Sequence, residues 1–421
     1  MNAVPYVPRV VDEELRARLA SIGGVVLEGP KACGKTMTAR QTATSEVLLD
    51  VDPAARAALA LDPALVLDGP TPRLIDEWQV EPVIWNHVRR TIDERRLPGQ
   101  FILTGSAVPA DNVSRHTGAG RISRIQMRPM SLLESGHSSG GISLAALLDG
   151  DSVRSPDPGM DIPGIVDRIC VGGWPAFQQL SVPDALVSVS GYLDEIRRTD
   201  ISRVDGVKRD PARVGKLLRA LARNVATSAA VKKLAADTGD DEDGQLARGT
   251  IYDHLYALER LLIVEDQPAW QPHLRSRSRL RIMPTRHFVD PSLAVAALGA
   301  SPQKLLADPN FLGLLFESLV VRELRIYGQA SDAEVLIYRD NTGLEVDTIV
   351  EARDGRWAAF EVKLGGEDAI EEAASSLLTF AERVDTRRTG DPSRLGVIVG
   401  SGYGYIRKDG VAIVPIAALA P

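Results

Sequence analysis

Cysteine and long apolar runs are scarce in this sequence. The 421 residues include two cysteines, Cys33 and Cys170, and neither has neighbours at metal-binding spacing. Such sparse cysteine suits a reducing cytoplasm and leaves no disulfide framework. No apolar stretch reaches the ~18 residues that cross a bilayer, and the N-terminus mixes acidic residues and arginines with short apolar runs, unlike a signal peptide. We therefore expect a cytoplasmic protein without a membrane partner.

Net positive charge is also lacking. The chain has 49 lysine and arginine residues against 56 aspartate and glutamate residues, which gives a net charge of −7. This balance argues against a uniformly basic nucleic-acid-binding protein, although it allows a local basic face. The six histidines show no paired metal-binding spacing. A hydrophobic fraction of 44% is ordinary for a globular protein, and the length predicts two or three domains.

The strongest chemical signal is a glycine-bounded loop near the N-terminus. An apolar run, Val25–Leu27, predicts a buried strand, and Met37–Thr44 predicts a helix. Between them lies the pattern G-x-x-x-x-G-K-[ST], which consists of Gly29, Pro30, Lys31, Ala32, Cys33, Gly34, Lys35 and Thr36. Strand, loop and helix in this order form the context in which the pattern binds a nucleoside triphosphate.

Each residue type in the loop has a physical reason. The two glycines let the backbone curl so that successive N–H groups face phosphate oxygens. Lys35 places a positive charge on the β- and γ-phosphates, and Thr36 offers a hydroxyl to Mg²⁺. A helix N-terminus could activate the thiol of Cys33, but a small residue that fits the loop is the simpler interpretation. The alternative for the whole stretch is a glycine turn with a surface lysine.

A short apolar strand that ends in two acids follows downstream, within Arg73–Gln79. In a phosphate-loop NTPase this arrangement places the first acid in the Mg²⁺ coordination shell and the second beside the attacking water. We therefore assign Asp76 to magnesium and Glu77 to water activation. Two acids after a strand would be a weak signal alone, but their position downstream of the loop strengthens it.

Polar residues at the end of the next buried strand, Phe101–Ser106, could contact nucleotide. Thr104 or Ser106 could sense the γ-phosphate, and a simple strand-to-loop turn is the alternative. An arginine could also contact phosphate, in cis or from a neighbouring subunit. The candidates are Arg115, Arg121 and Arg128. We prefer Arg121, because a glycine precedes it and a strand-like apolar run follows.

The order of these motifs resembles a prokaryotic AAA-type ATPase family whose members usually carry a C-terminal domain of unknown function. The stretches that carry the resemblance are Tyr6–Arg9, Gly29–Thr36, Leu74–Glu77, Leu103–Ser106, Gly120–Arg121 and Pro129–Leu132. The resemblance implies a parallel sheet flanked by helices. Lys31 departs from the pattern, since many members have arginine there, and lysine keeps the charge but loses the planar fork. Arg128 departs from it too, at a place that is often uncharged.

The middle of the chain predicts a linker and then a small helical domain. Residues 151–163 are rich in proline, aspartate, serine and glycine, as linkers are. Helical spacing follows at Val214–Val225, Ser228–Ala236 and Thr250–Leu262, and two hairpin strands are expected at 263–265 and 280–282. Three helices followed by a hairpin is the layout of a winged helix-turn-helix.

In that layout the third helix is the recognition helix, with Lys232 and Lys233 beside it. The wing would present Arg275, Arg277, Arg279 and Arg281. Alternate positions share one face of a strand, so these arginines could follow a phosphate backbone. Asp253 and Glu259 on the recognition helix would repel DNA, and winged helices also dock proteins. Both interpretations therefore stay open.

The last third of the chain brings carboxylates and a lysine into one predicted sheet. Glu361 and Lys363 face the same side of one strand, Asp347 lies on the strand paired with it, and Glu317 lies on the preceding helix. Two carboxylates at such a point can hold Mg²⁺ or Mn²⁺, and lysine beside them can orient or polarise the attacking water.

This arrangement of helices and strands with Asp…Glu-x-Lys resembles the restriction-endonuclease-like, PD-(D/E)xK nuclease superfamily. The same arrangement is typical of the C-terminal domain of the ATPase family named above. The resemblance implies a metal-dependent nuclease site formed by Glu317, Asp347, Glu361 and Lys363. A charged strand edge, or a nuclease fold that has lost its activity, is the alternative.

Together these features predict an α/β protein with three domains. Residues 1–150 form an AAA-type P-loop ATPase domain, a parallel sheet with helices on both faces. Residues 151–285 form a linker and winged-helix-like domain, and residues 286–421 a restriction-endonuclease-like α/β domain. The expected function is hydrolysis of ATP, with Mg²⁺, coupled to a nuclease-like domain that acts on DNA or RNA.

The alternative function is a signalling or scaffold ATPase whose silent C-terminal domain binds a protein partner. A transcription regulator that acts through the winged helix is a third interpretation. A homo-oligomer is compatible with all three.

Overall fold

The computed structural model describes residues 5–107, 117–239, 244–272 and 282–421. The chain forms two compact units. The first comprises residues 1–129, 199–208 and 256–263, and the second comprises residues 130–198, 209–255 and 264–421. Within the described ranges, none of the helices combines the length and the apolar character needed to cross a membrane. The domain boundaries at 150 and 285 stay predictions.

A parallel five-stranded sheet forms the centre of the first unit. Its strands are β1 (Gly24–Glu28), β2 (Ser45–Leu48), β3 (Arg73–Asp76), β4 (Phe101–Gly105) and β5 (Ile122–Gln126). Their order across the sheet is β2-β3-β4-β1-β5, and every neighbouring pair is parallel. Every residue of β1 and β4 is buried, which explains why these strands are so apolar. The predicted parallel sheet is confirmed.

Helices cover both faces of this sheet. They are α1 (Val11–Leu19), α2 (Lys35–Arg40), α3 (Pro53–Leu61), α4 (Ala64–Leu67) and α5 (Ile84–Arg95). Val25 and Leu27 of β1 share a core with α1 and α2, whereas Val26 shares another with α3, α4 and α5. Successive strand residues face opposite sides, so two apolar cores flank the sheet. Because all five strands are parallel, the carboxyl ends of β1, β3 and β4 lie at one edge.

The middle of the chain is largely helical. It contains a short strand, β6 (Ile142–Ser143), and the helices α6 (Leu144–Leu148), α7 (Ile162–Val171), α8 (Val182–Glu195), α9 (Ile201–Arg203), α10 (Pro211–Arg223), α11 (Val231–Ala236) and α12 (Arg248–Arg260). A π-helical turn, Ile196–Asp200, joins α8 to α9. The side chain of Asp210 caps α10 by accepting from Ala212 N, and Pro211 occupies its first position, a favourable pairing at a helix start.

A two-stranded antiparallel sheet follows, made of β7 (Val264–Gln267) and β8 (Thr285–Phe288). The sequence predicts the partner strand of β7 at residues 280–282. Two of these residues, Leu280 and Arg281, lie outside the described residues. Strand β8 begins at Thr285 and pairs back onto β7, across the predicted boundary at 285.

The C-terminal part of the second unit is a six-stranded mixed sheet. Its strands are β9 (Ala333–Arg339), β10 (Glu345–Ala352), β11 (Trp357–Lys363), β12 (Arg394–Val399), β13 (Tyr405–Ile406) and β14 (Ala412–Pro415). The order is β13-β14-β12-β11-β10-β9, with β11, β12 and β14 parallel and the other pairs antiparallel. A last strand, β15 (Leu419–Ala420), pairs with β6.

Five helices accompany this sheet. They are α13 (Ser292–Leu298), α14 (Pro302–Leu306), α15 (Pro309–Gln329), α16 (Glu367–Arg383) and α17 (Thr386–Thr389). Trp270, Trp357 and Phe380 are fully buried in a core that α16 covers. Along the chain, helix α15 is followed by strands β9, β10 and β11, then by helix α16 and strand β12.

Candidate functional site

The loop between β1 and α2 is tightly curled. A Cβ atom on Gly29 would lie 2.2 Å from the carbonyl oxygen of Met127, which only glycine avoids. Gly34 has φ 107° at the start of α2, and Ala32 has φ 61° although it is not glycine. Positive φ is easy for glycine and strained for alanine. Cys33 is fully buried in this loop, where it serves as a small packed residue.

Lys35 and Thr36 have different hydrogen-bond partners. The buried Lys35 amine donates to the carbonyl oxygens of Gly29 at 2.9 Å and Pro30 at 2.8 Å. The Thr36 hydroxyl donates to Asp76 Oδ1 at 2.9 Å. A hydroxyl and a carboxylate in contact supply the hard oxygen ligands that Mg²⁺ prefers.

The two acids at the end of β3, Asp76 and Glu77, contact residues at the end of β4. The Thr104 hydroxyl donates to Asp76 and accepts from the Glu77 backbone N–H at 3.3 Å. Glu77 has φ 51°, a left-handed conformation that turns its side chain away from the strand direction. Its Oε2 accepts from Ser106 Oγ at 3.1 Å and from the Gln79 amide. Thr104 and Ser106 therefore contact the acids directly.

Some loop contacts were missed by sequence reasoning. The guanidinium of the buried Arg9 donates to the carbonyl oxygens of Cys33 at 2.9 Å and Arg128 at 2.8 Å, which braces the loop from behind. The Lys31 amine lies 2.5 Å from Asp200. Arg9 and Asp200 are distant in sequence from the motif, so no spacing rule identifies them. Gln79, which contacts Glu77, was also missed, but it follows the two acids closely in sequence and could have been found by its position.

The structure does not bring Arg121 to the phosphate loop. It precedes β5, whose first residue, Ile122, pairs with Gly24 at the start of β1. Arg121 therefore lies at the edge of the sheet opposite the loop, where it pairs with Asp93 at 2.8 Å. Its role as an arginine finger toward another subunit stays a prediction. Arg115 lies outside the described residues.

The C-terminal cluster comes together within the second unit. The Lys363 amine lies 3.0 Å from Glu361 Oε2 and 3.8 Å from Asp347 Oδ2. Asp347 Oδ2 also accepts from the Val362 backbone N–H at 2.8 Å. The register of β10 against β9 shifts between Val346 and Ile349, and such bulges re-aim side chains next to functional sites.

Burial dominates the electrostatics of this cluster. It raises the pKa of Glu361 to about 8, and the Asp347 charge adds to the shift. Burial also raises the pKa of Asp347, and it raises the pKa of Glu317 well above the usual range, with Asp347 as the next cause. Burial opposes the charged form of Lys363, but Asp347 and Glu361 outweigh it and raise the pKa of Lys363. One ammonium group therefore faces three carboxyl groups that resist ionisation together.

Gln267 holds the backbone of Asp347, and His287 in turn holds Gln267; the sequence did not indicate either role. The Gln267 amide donates to the Asp347 carbonyl oxygen at 3.0 Å, and its Oε1 contacts His287 Nε2 at 3.0 Å. His287 Nδ1 contacts Ser318, next to Glu317. Burial lowers the pKa of His287 well below its usual value, so the hydrogen-bonded group of Gln267, His287 and Ser318 is neutral. Across the described ranges, no three His, Cys, Asp or Glu side chains are grouped to hold a metal ion.

The helical region has one feature that changes its charge balance. Arg209 donates two hydrogen bonds to Asp253 on α12, both at 2.8 Å. Asp253 is therefore neutralised by a buried guanidinium, and the repulsion of DNA expected from it is reduced. Lys232 and Lys233 on α11 are exposed. The four wing arginines, Arg275, Arg277, Arg279 and Arg281, lie outside the described residues, so the winged helix stays a prediction.

The comparisons with known proteins agree with the first unit. Residues 23–135 match a family model described as an AAA domain. Residues 163–304 and 312–419 match two models described as domains of unknown function (DUF8612 and DUF4143). The chain carries an AAA-type ATPase domain. This match supports the binding and hydrolysis of ATP, and it leaves the nuclease resemblance of the C-terminal domain unconfirmed.

Two mycobacterial proteins are similar over most of the chain. They are the uncharacterized proteins Mb2031c of Mycobacterium bovis and Rv2008c of Mycobacterium tuberculosis, each 24% identical over 407 residues, 95% of this chain and 82% of the relative. A Walker-type ATPase of Pyrococcus abyssi superimposes with a TM-score of 0.41 and 12% identity, over 68% of this chain and 94% of that chain.

Proposed function

We propose that this protein hydrolyses ATP at the loop between β1 and α2, with Mg²⁺ held beside Thr36 and Asp76. The observation that carries the proposal is the contact of the Thr36 hydroxyl with Asp76 Oδ1 at 2.9 Å, which joins the loop to the acid pair. Lys35 binds the β- and γ-phosphates, and the loop N–H groups receive their oxygens.

The oxygen atoms of Thr36 and Asp76 fit the magnesium ion that such a site uses. Both are hard ligands and lie in contact, and the Thr104 hydroxyl holds the Asp76 carboxylate in place. A bound Mg²⁺ supplies a positive charge that stabilises the transferring phosphoryl group. Glu77 orients the attacking water and accepts its proton, and Gln79 and Ser106 fix the carboxylate for that task.

Glu77→Gln tests the assignment of the base. The amide keeps the shape and the contacts, but it cannot accept the proton. We expect ATP binding to stay within about twofold of wild type and the hydrolysis rate to fall by about 10²–10⁴-fold, the usual contribution of a general base. The exposed Glu94 on α5 offers the same change away from the site, and Glu94→Gln should hydrolyse ATP normally. A Glu77→Gln variant with normal turnover would contradict the role.

The nucleotide state is proposed to control the C-terminal domain. In the first candidate, Glu317, Asp347, Glu361 and Lys363 form a Mg²⁺-dependent nuclease-like site that acts on DNA or RNA. Its support is the proximity of Lys363 to two carboxylates, at 3.0 and 3.8 Å. The fit to a metal is poor, because no three His, Cys, Asp or Glu side chains in the described parts of the chain are grouped to hold an ion. We therefore derive no catalytic step for this cluster.

The second candidate is a silent C-terminal domain that binds a protein partner while ATP acts as a switch. The specific support is the closed cluster, in which the Lys363 ammonium and the Val362 N–H already bind the carboxylate oxygens.

Cleavage assays with single- and double-stranded DNA and RNA, with Mg²⁺ or Mn²⁺, separate these two candidates. Metal-dependent cleavage that Asp347→Ala abolishes, and that Asp354→Ala in an exposed turn retains, would establish the first. The absence of cleavage on all four substrates would end it.

A further inference from the structure

Lys31 and Asp200 form an ion pair that no motif predicts. Lys31 lies in the phosphate loop, and its amine is 2.5 Å from Asp200 Oδ1. Both residues belong to the first unit, although Asp200 comes from the segment 199–208, which the chain inserts between two parts of the second unit. The pair therefore ties the loop to a segment 169 residues away in sequence.

The two partners differ strongly in exposure. The Asp200 side chain is 8% exposed and the Lys31 side chain is 45% exposed. A buried carboxylate needs its partner, because an unpaired charge in the interior is costly. The half-exposed Lys31 has alternatives, since its long side chain can reach another anion from the same loop position.

The backbone around Asp200 is also unusual. It ends the π-helical turn Ile196–Asp200, which separates α8 from α9. Such turns are rare and occur frequently at functional sites. The next residue, Ile201, is fully buried, and Val204 is nearly so. The segment is thus packed into the first unit at the point where its carboxylate meets the loop.

We infer that Asp200 senses the nucleotide by competing with it for the Lys31 ammonium. A triphosphate in the loop presents several negative charges within reach of Lys31, against one on Asp200. When Lys31 turns toward phosphate, the buried Asp200 loses its partner, and the segment 199–208 loosens. This inference rests on the proposed ATP site. It assigns to Asp200 the response to bound ATP, in a segment that lies between α8 and α10 in the sequence.

The first test is the affinity for ATP in the presence of Mg²⁺, measured by titration calorimetry on four proteins. These are wild type, Asp200→Asn, Lys31→Gln and the double variant. Asp200→Asn removes the carboxylate that competes with phosphate for Lys31, so it should bind ATP roughly threefold to tenfold more tightly, the order expected from one partly exposed ion pair. Lys31→Gln should bind more weakly, and Asp200→Asn should gain little in that background.

A matched control is Glu46→Gln, which breaks the exposed Arg40–Glu46 ion pair of the same unit, 2.7 Å long. Its affinity should equal that of wild type. Unchanged affinity in Asp200→Asn would overturn the inference. An equal gain in both backgrounds would overturn it too, because Asp200 would then act by general repulsion and not through Lys31.

Hydrogen exchange on the wild-type protein gives a second readout that needs no variant. ATP with Mg²⁺ should speed the exchange of the amides in residues 201–208, and unchanged or slower exchange there would contradict the inference. If wild type binds no ATP at all, the proposed function fails. If wild type binds ATP while Asp200→Asn and the exchange of 201–208 are unaltered, only the sensing role fails.

Discussion

Replacing Gly29 by alanine should destabilise the phosphate loop and slow ATP hydrolysis, although it adds only one methyl group. The added Cβ would lie 2.2 Å from the Met127 carbonyl oxygen and 3.0 Å from Cys33 Sγ. The backbones of Gly29 and Met127 cannot separate freely, because the Met127 N–H donates to the Glu28 carbonyl oxygen at 2.7 Å and thereby holds the end of β5 against β1. The loop must therefore move by about 1 Å to restore ordinary contact distances.

The expected cost has two parts. Overpacking of this kind destabilises a protein by about 1–3 kcal/mol, which thermal unfolding would show as a lower melting temperature. A displacement of about 1 Å in groups that position a substrate can lower the rate by about 10²-fold. We expect a loss of that order in ATP hydrolysis, measured as phosphate release, and weaker ATP binding in calorimetry.

Gly191→Ala is a matched control. Gly191 lies within α8, and a Cβ atom there would meet nothing within 4 Å. Alanine in a helix interior is better than glycine by about 1 kcal/mol, so this variant should be slightly more stable and fully active. A Gly29→Ala protein that melts and hydrolyses ATP like wild type would refute the close-contact reasoning.

Two further predictions concern buried charges of the second unit. Because the pKa of Glu361 is raised to about 8, its contribution to stability is complete below its ordinary value and is lost as pH rises through about 8. Between pH 5 and pH 8 the free energy of unfolding of wild type should therefore fall by about 1–3 kcal/mol relative to that of Glu361→Gln. The exposed control Glu372→Gln should show the same pH dependence as wild type. If Glu361→Gln also showed the wild-type pH dependence, the raised pKa of Glu361 would be contradicted. Arg322 is buried between two carboxylates at 2.5 and 2.7 Å, so Arg322→Met should cost about 3–5 kcal/mol in urea unfolding. The Arg353 side chain is 84% exposed in its ion pair with Asp332, so Arg353→Met should cost at most about 1 kcal/mol. Equal losses in both variants would contradict the importance of the buried network.

The elements of the first unit could be predicted closely from the sequence. The predicted strand Val25–Leu27 lies within β1, and strand β4 ends one residue before the predicted Ser106. The reason is local, since buried parallel strands are short apolar runs and the phosphate loop is one continuous segment. Asp76 could be placed for the same reason, because it ends a strand parallel to β1.

Contacts between distant segments could not be predicted in this way. Nothing local to Lys31 indicates Asp200, and nothing near Asp347 indicates Gln267, because these pairs depend on tertiary packing. Arg121 illustrates what strand direction adds to the sequence pattern. A residue that precedes a strand parallel to β1 must lie at the edge away from the loop, so strand direction alone argues against a contact within the same chain.

The pairing of β8 with β7 was missed for a related reason. Alternation of polar and apolar residues predicts short strands but does not specify which of them pair. The observed partners bring His287 opposite Glu265, which places it beside Gln267 and Ser318.

ATP hydrolysis by Lys35→Ala tests the central claim most directly. The Lys35 amine is buried inside the loop and is assigned to the β- and γ-phosphates. We predict that purified wild type releases phosphate from ATP with Mg²⁺, that Lys35→Ala does not, and that Lys304→Ala, a change at an exposed lysine, behaves as wild type. Undiminished phosphate release by Lys35→Ala would contradict the assignment of the nucleotide site.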